Sequence, residues 1–151
     1  MLQRLRQLSP NERKDLWPAF WRLAWVRFCL LTCEIRTTLQ RCGGLSQDLE
    51  STLSPDELAL WRRRALAFRR VARLVPQARC LARSLALRWW MRSLGKHAEL
   101  KIGVRKTDGK LHSHSWIVVN GIPIDETPAI IARHTVVQTE ASASQPFPDT
   151  P

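Results

Sequence analysis

The spacing of apolar residues changes once along this chain, at Gly95, and that change limits the available folds more than any other feature. Before Gly95 the apolar positions recur at helical spacing, and after it they alternate. Leu58, Trp61, Ala65, Phe68 and Ala72 share one helical face, and Cys80, Ser84, Leu87, Met91 and Leu94 share another. Leu100, Ile102 and Val104 then lie on one side of an extended segment. Helices first and strands afterwards predict an α+β domain, its helices laid on one face of a small antiparallel sheet.

The helix starts are legible. Ser9-Pro10-Asn11-Glu12 and Ser54-Pro55-Asp56-Glu57 each place Ser at the cap, Pro first in the helix and Glu three residues after the cap. A first helix is expected over residues 10 to about 41, where Gly43-Gly44 stops it, and a second over 55 to about 74. A third is expected from Pro76 to near Gly95. Its second apolar stripe of Leu81, Leu85 and Trp89 makes it the central helix, packed between layers. Thr107-Asp108-Gly109-Lys110 and Asn120-Gly121 are hairpin signals, giving three strands over 99–105, 111–119 and from residue 122. With 151 residues the chain is one domain over 1–140, its helical part being 1–75 and its chemical core 76–128. Residues 141–151 have the composition of a disordered tail.

The net charge of +11 predicts attraction to something acidic: nucleic acid, an anionic membrane face or an acidic protein. Arg62, Arg63, Arg69, Arg70 and Arg73 lie on the second helix away from its apolar face. A basic nucleic-acid- or partner-binding protein without catalysis is therefore the alternative function. Against it, no recognised nucleic-acid motif is present and the aromatics are not interleaved with the arginines on strands. The apolar run from Leu16 to Val26 is broken by charge too early to span a membrane, so packing or docking to a protein is expected, with peripheral membrane contact as the alternative. Cysteines at 29, 33, 42 and 80 do not form a disulfide pattern, and the N-terminal residues lack a cleavable apolar run. A reduced, cytoplasmic protein is expected. Cys29 and Cys33 have the spacing of buried free thiols; no paired Cys or His motif supports a metal, and no cofactor is expected.

One stretch carries chemistry. Cys80 follows Pro76 at the start of a helix, whose unpaired N–H groups favour an anion. On the strand over 111–119, His112, His114, Trp116 and Val118 share a face. If Asn120-Gly121 is a two-residue turn, Trp116 opposes Asp125, which sets Asp125 diagonal to His114 on the same face. Glu126 points the other way unless a bulge shifts the register. A thiol, an imidazole to take its proton and an acid to orient the imidazole are the parts of a cysteine hydrolase, with N–H groups at the helix start available to an oxyanion. The parity favours Asp125 as the group that orients His114, which makes Cys80, His114 and Asp125 the candidate triad.

Arg79-Cys80-Leu81-Ala82-Arg83-Ser84-Leu85-Ala86-Leu87, then Leu100-Lys101-Ile102-Gly103-Val104-Arg105-Lys106 and His114-Ser115-Trp116-Ile117-Val118-Val119-Asn120-Gly121, together resemble the B2-type leader peptidases of lasso-peptide biosynthesis. These belong to the transglutaminase-like (papain-like) cysteine protease group. The resemblance covers about residues 74 to 128, with Ser115 where the family more often has Ala. It implies removal of the leader from a ribosomally made precursor before an ATP-dependent cyclase closes the macrolactam ring. By position Cys80 is the nucleophile, His114 the general base and acid, and Asp125 or Glu126 the orienting carboxylate, with His112 a neighbour. No strand-rich segment precedes residue 95, so a discrete (B1-type) leader-recognition protein is the implied partner, beside the precursor peptide and the cyclase.

Overall fold

Two capping boxes fix where the long N-terminal helices begin in this computed structural model, which describes residues 8–42 and 52–139. At the start of α1 (Pro10–Thr32), Ser9 Oγ accepts the Glu12 N–H at 3.3 Å and Glu12 Oε2 accepts the Ser9 N–H at 2.9 Å. The helix ends at Thr32, earlier than expected. Thr32 Oγ1 turns back to donate to the Phe28 carbonyl, and Cys33 (φ −134°, ψ 158°) and Glu34 (φ −63°, ψ 155°) are extended. Such back-bonding competes with helix continuation. A short α2 (Ile35–Arg41) follows, so the expected single helix is two. Its expected stop at Gly43-Gly44, like the expected tail from residue 141, lies outside the described residues.

Ser54 and Glu57 cap α3 (Pro55–Val71) in the same reciprocal way. The central helix, α4 (Cys80–Arg92), starts four residues later than Pro76, where it was expected. Gln77 takes a left-handed φ of 56°, and the Ala78 N–H donates to the Val75 carbonyl at 3.2 Å. That turn reverses the chain before a helix can form, because a left-handed residue cannot lie in a right-handed helix. Cys80 is thus the first helical residue, with Arg79 as cap.

The strands are β1 (Glu99–Thr107), β2 (Lys110–Val119) and β3 (Ile122–Pro123); after a single turn of helix, α5 (Pro128–Ile131), comes β4 (Thr135–Thr139). Both hairpins use left-handed pairs, Asp108 and Gly109 (φ 52° and 74°) and Asn120 and Gly121 (φ 46° and 76°), as type I′ turns demand. Val119 pairs with Ile122, the register the Asn-Gly signal implies. The antiparallel sheet runs β3-β2-β1-β4. The fourth strand was not expected. Val136 and Val137 are both exposed, so no alternation marks it, and backbone pairing with β1 holds it in place.

Helix α4 lies between α1 and α3 on one side and β2 on the other, and residues 84–88 are all buried. The core joins Leu23 and Val26 of α1, Trp61 and Phe68 of α3, Leu85, Leu87 and Met91 of α4, and Ile117 and Val119 of β2. Trp90 meets Trp61 and Phe68 edge-on, at centroid distances of 6.2 and 6.0 Å. The guanidinium groups of Arg22 and Arg64 lie 4.8 and 4.4 Å from its ring, a favourable cation–π geometry. The arginine side of α3 is largely occupied within the molecule. Arg63 and Arg64 pair with the buried Asp15 of α1 at 2.8 and 3.6 Å, and Arg70 pairs with Glu12 at 2.8 Å. Among the described residues no helix is long and apolar enough to cross a membrane.

Candidate active site

The thiol of Cys80 stands half-buried at the first position of α4. Unlike α1 and α3, this helix has no side-chain cap: Arg79 makes no such hydrogen bond. The first backbone bond of α4 runs from the Arg83 N–H to the Arg79 carbonyl, so the N–H groups of residues 80–82 precede the hydrogen-bond ladder. Arg27 of α1 fixes the loop that delivers the thiol, donating to the Pro76 carbonyl at 3.2 Å and to Gln77 Oε1 at 2.6 Å.

One turn further along α4, Ser84 joins the helix to the sheet. Its hydroxyl lies 3.2 Å from the Ser115 carbonyl and 2.9 Å from Asp125 Oδ2. Ser115 is the residue after His114, and side chains four apart on a helix are about 6 Å apart. Cys80 therefore shares the helix face on which Ser84 meets β2. Among the described residues no hydrogen bond joins the thiol to that imidazole.

The expected pairing of His114 with Asp125 is not found. β3 pairs with β2 only at Val118 and Val119, after which the Ile124 N–H reaches the Ile117 carbonyl at 3.0 Å and the ladder stops. Asp125 Oδ1 then accepts the Ile117 N–H at 2.8 Å, where a further strand carbonyl would otherwise sit. The Asp125 side chain is spent on the sheet edge and on Ser84, and the strand parity that assigned it to His114 no longer applies. The next residue takes that position: Glu126 Oε2 is 2.8 Å from His114 Nε2. Glu126 Oε1 accepts from Arg69 Nη2 at 3.0 Å and from the Thr127 N–H at 3.1 Å. Arg69 also donates to the Asp125 carbonyl.

The two carboxyls are pushed in opposite directions. Burial raises Asp125 above the ordinary aspartate value, against the lowering effect of the Ile117 N–H and the Ser84 hydroxyl, and the Glu126 charge adds to the rise. Burial also pushes Glu126 up, but His114, the Thr127 N–H and Arg69 together bring it below the ordinary glutamate value. Of the two, Glu126 is the one whose charged form its surroundings favour, and it faces the imidazole.

Two rings flank that imidazole. Trp116 stacks at 6.2 Å and 28°, and His134 lies at 5.3 Å and 33° with its Nδ1 2.9 Å from the Ile130 carbonyl. A carbonyl only accepts, so His134 donates through Nδ1. Gly103 of β1 opposes His114 and leaves room for this arrangement: a Cβ there would meet Trp116 Cη2 at 2.8 Å and His134 Cβ at 2.9 Å. His112 is exposed at the far end of β2. A shallow pocket beside the Glu126 carboxylate is lined by Ala65, Phe68, Arg69, Arg83, Leu87, Ser115 and Asp125. Among the described residues no cluster of three or more His, Cys, Asp or Glu is placed to hold a metal ion.

Sequence reasoning located Cys80 and His114 but gave no role to Ser84, Arg69 or His134. Ser84 was detectable as the polar member of an otherwise apolar stripe. Arg69 looked like one more charge on a basic face, and His134 had no motif around it.

A thiol opening a central helix and an imidazole on the strand beneath it, bound to a carboxylate past the next turn, belong to an α+β domain with a papain/transglutaminase-like core. The family model described as the transglutaminase-like superfamily matches residues 22–139, most of the chain, and the protein belongs to that family. No curated protein and no solved structure matches it.

Proposed function

We propose that this domain is a cysteine peptidase that removes the leader from a lasso-peptide precursor, with Cys80 as nucleophile, His114 as base and acid, and Glu126, in place of Asp125, as the orienting carboxylate. The contact of His114 Nε2 with Glu126 carries this reading, because it leaves Nδ1 as the ring nitrogen available to the thiol. Cys80 Sγ attacks the carbonyl carbon at the leader–core junction as its proton passes to His114 Nδ1. The resulting oxyanion is met by N–H groups at the uncapped start of α4. The imidazolium gives its proton to the departing amine, which becomes the new N-terminus of the core peptide. Water, deprotonated by His114, then attacks the thioester, releasing the leader as a carboxylic acid and restoring the thiol.

Asp125 acts on the framework, holding the β2 edge and Ser84 so that the next residue faces His114. The lasso-peptide substrate, the discrete recognition protein that presents it and the cytoplasmic setting follow from the resemblance of the 79–87, 100–106 and 114–121 segments. The pairing of Arg63, Arg64 and Arg70 with acids of α1 weighs against a phosphate-binding role for that face.

The test is to incubate a candidate precursor and its recognition protein with wild type, Cys80→Ala and His114→Ala, following products by mass spectrometry. Both variants are expected to leave the precursor intact, and cleavage by either at the wild-type rate refutes the assignment. Family membership supports one second reading, transfer of the acyl group to an amine in place of water. A free leader carboxylate identifies hydrolysis, and an amide-linked adduct identifies transfer.

A further inference from the structure

The outer side of α1 plays no part in the core. Trp17, Trp21, Trp25, Phe28 and Leu31 form one row along it, 66%, 55%, 45%, 52% and 66% exposed. The inner side supplies Ala19, Leu23, Val26 and Cys29, each fully buried. Folding therefore uses the inner stripe and leaves the aromatic row outside. The row is about 20 Å long at 1.5 Å per residue. With 45% or more of each residue open, it presents several hundred Å² of apolar surface, about the size at which a patch marks an interaction site.

Among the described residues the exposed charge beside the row is net positive. The two acids of α1, Glu12 and Asp15, are bound by Arg70 and by Arg63 and Arg64. Arg13 and Lys14 are exposed before the row, and Arg36 is exposed beyond its other end. Glu34, exposed there as well, offsets one charge. The chain as a whole carries +11.

We propose that this side of α1 docks on an anionic lipid surface, with the indoles at headgroup depth and the flanking cations on lipid phosphates. Indole rings, apolar with one polar edge, favour the membrane interface. Cations beside such a row add attraction to anionic headgroups. A convex row one side chain wide suits a soft, continuous layer, whereas a protein interface concentrates its anchors at a packed centre with a polar rim. No described helix can span a bilayer, so the contact is peripheral. Arg27, on the same helix, holds the loop before Cys80, so docking fixes the height of the candidate active site above the lipid. The proposal does not depend on the peptidase reading.

The test is co-sedimentation of the full chain with phosphatidylcholine vesicles, with and without phosphatidylglycerol, across a salt series. Binding is expected only with phosphatidylglycerol and should weaken as salt rises. The combined change Trp17→Ser, Trp21→Ser, Trp25→Ser should lower partitioning at least about tenfold, and Lys14→Glu with Arg36→Glu by about as much. Both variants should melt like the wild type, because the row is outside the core. Absence of binding to phosphatidylglycerol vesicles overturns the proposal, as does unchanged binding of the tryptophan variant. A concentration-dependent dimer abolished by the tryptophan changes, or capture of a protein partner by this row without lipid binding, also overturns it.

Discussion

Replacing Glu126 by Gln tests the site through a hydrogen-bond count. Two donors converge on Glu126 Oε1, Arg69 Nη2 at 3.0 Å and the Thr127 N–H at 3.1 Å, while Oε2 faces His114 Nε2 at 2.8 Å. A glutamine must direct its carbonyl oxygen toward the two donors, because its NH₂ there would set donor against donor and deprive the Thr127 N–H of its acceptor. The amide NH₂ then faces His114 Nε2, which has to accept, and the ring proton moves to Nδ1. In that tautomer the imidazole cannot take a proton from Cys80. Loss of the correct tautomer and of the carboxylate is expected to lower kcat for leader cleavage by about 10³- to 10⁴-fold, or about 4–5.5 kcal/mol of barrier, with KM little changed. Fold damage is checked by thermal melting and precursor binding, both expected to stay near wild type. The alkylation rate of Cys80 as a function of pH gives a readout independent of substrate, and its profile should change in Glu126→Gln. If Glu126→Gln cleaves within threefold of wild type while Asp125→Asn is inactive, the assignment of Glu126 is wrong and the parity argument for Asp125 is restored.

Asp125→Asn should keep the fold, with its Oδ1 on the Ile117 N–H and its amide on Ser84, whereas Asp125→Ala strands that N–H and should cost about 1–3 kcal/mol in denaturant unfolding. Because the folded-state pKa of Asp125 is raised, its contribution to stability is full below the unfolded value of about 3.9 and is lost as pH rises through the folded value. The melting temperature of Asp125→Asn should therefore gain on wild type as pH rises from about 4, and a gap independent of pH contradicts this. Gly103→Ala forces a methyl to within 3 Å of Trp116 and His134, so it should cost about 1–3 kcal/mol, seen as a lower melting temperature, together with slower cleavage; an unchanged melt refutes the packing argument. Asp15→Ala removes the shared partner of Arg63 and Arg64 and should cost about 2–3 kcal/mol by chemical denaturation, less than a fully buried pair because Arg63 is one-third exposed. A loss below about 0.5 kcal/mol, the range of a surface pair, counts against it.

Much of the fold was written in local signals that act alone. The Ser-Pro-x-Glu boxes opened α1 and α3 where they occur, and Asp108-Gly109 and Asn120-Gly121 turned the chain in the expected register. Errors arose where tertiary contacts decide. Residues 33 and 34 interrupt the first helix without Gly or Pro to announce it, and Gln77 is left-handed although its side chain gives no sign of it. β4 has no buried side to create alternation. At the site, period-two counting holds only while a strand lasts. The β3 pairing ends two residues into the strand, and the carboxylate expected to orient His114 became a substitute for a backbone carbonyl. The basic face of α3 likewise looked free because sequence cannot show that Asp15 and Glu12 fold over it.

The contrast between capped and uncapped helix starts also bears on how firmly the turn that holds Cys80 is fixed. Two helices are pinned at their first turn by reciprocal Ser–Glu bonds, and the helix bearing Cys80 is not. An unpinned turn frays, so the amide protons of residues 80–82 should exchange with solvent sooner than those just after Ser9 and Ser54. In the proposed mechanism an acyl oxygen on those amides would supply the missing acceptor, so substrate should tighten the turn that holds the thiol and slow that exchange.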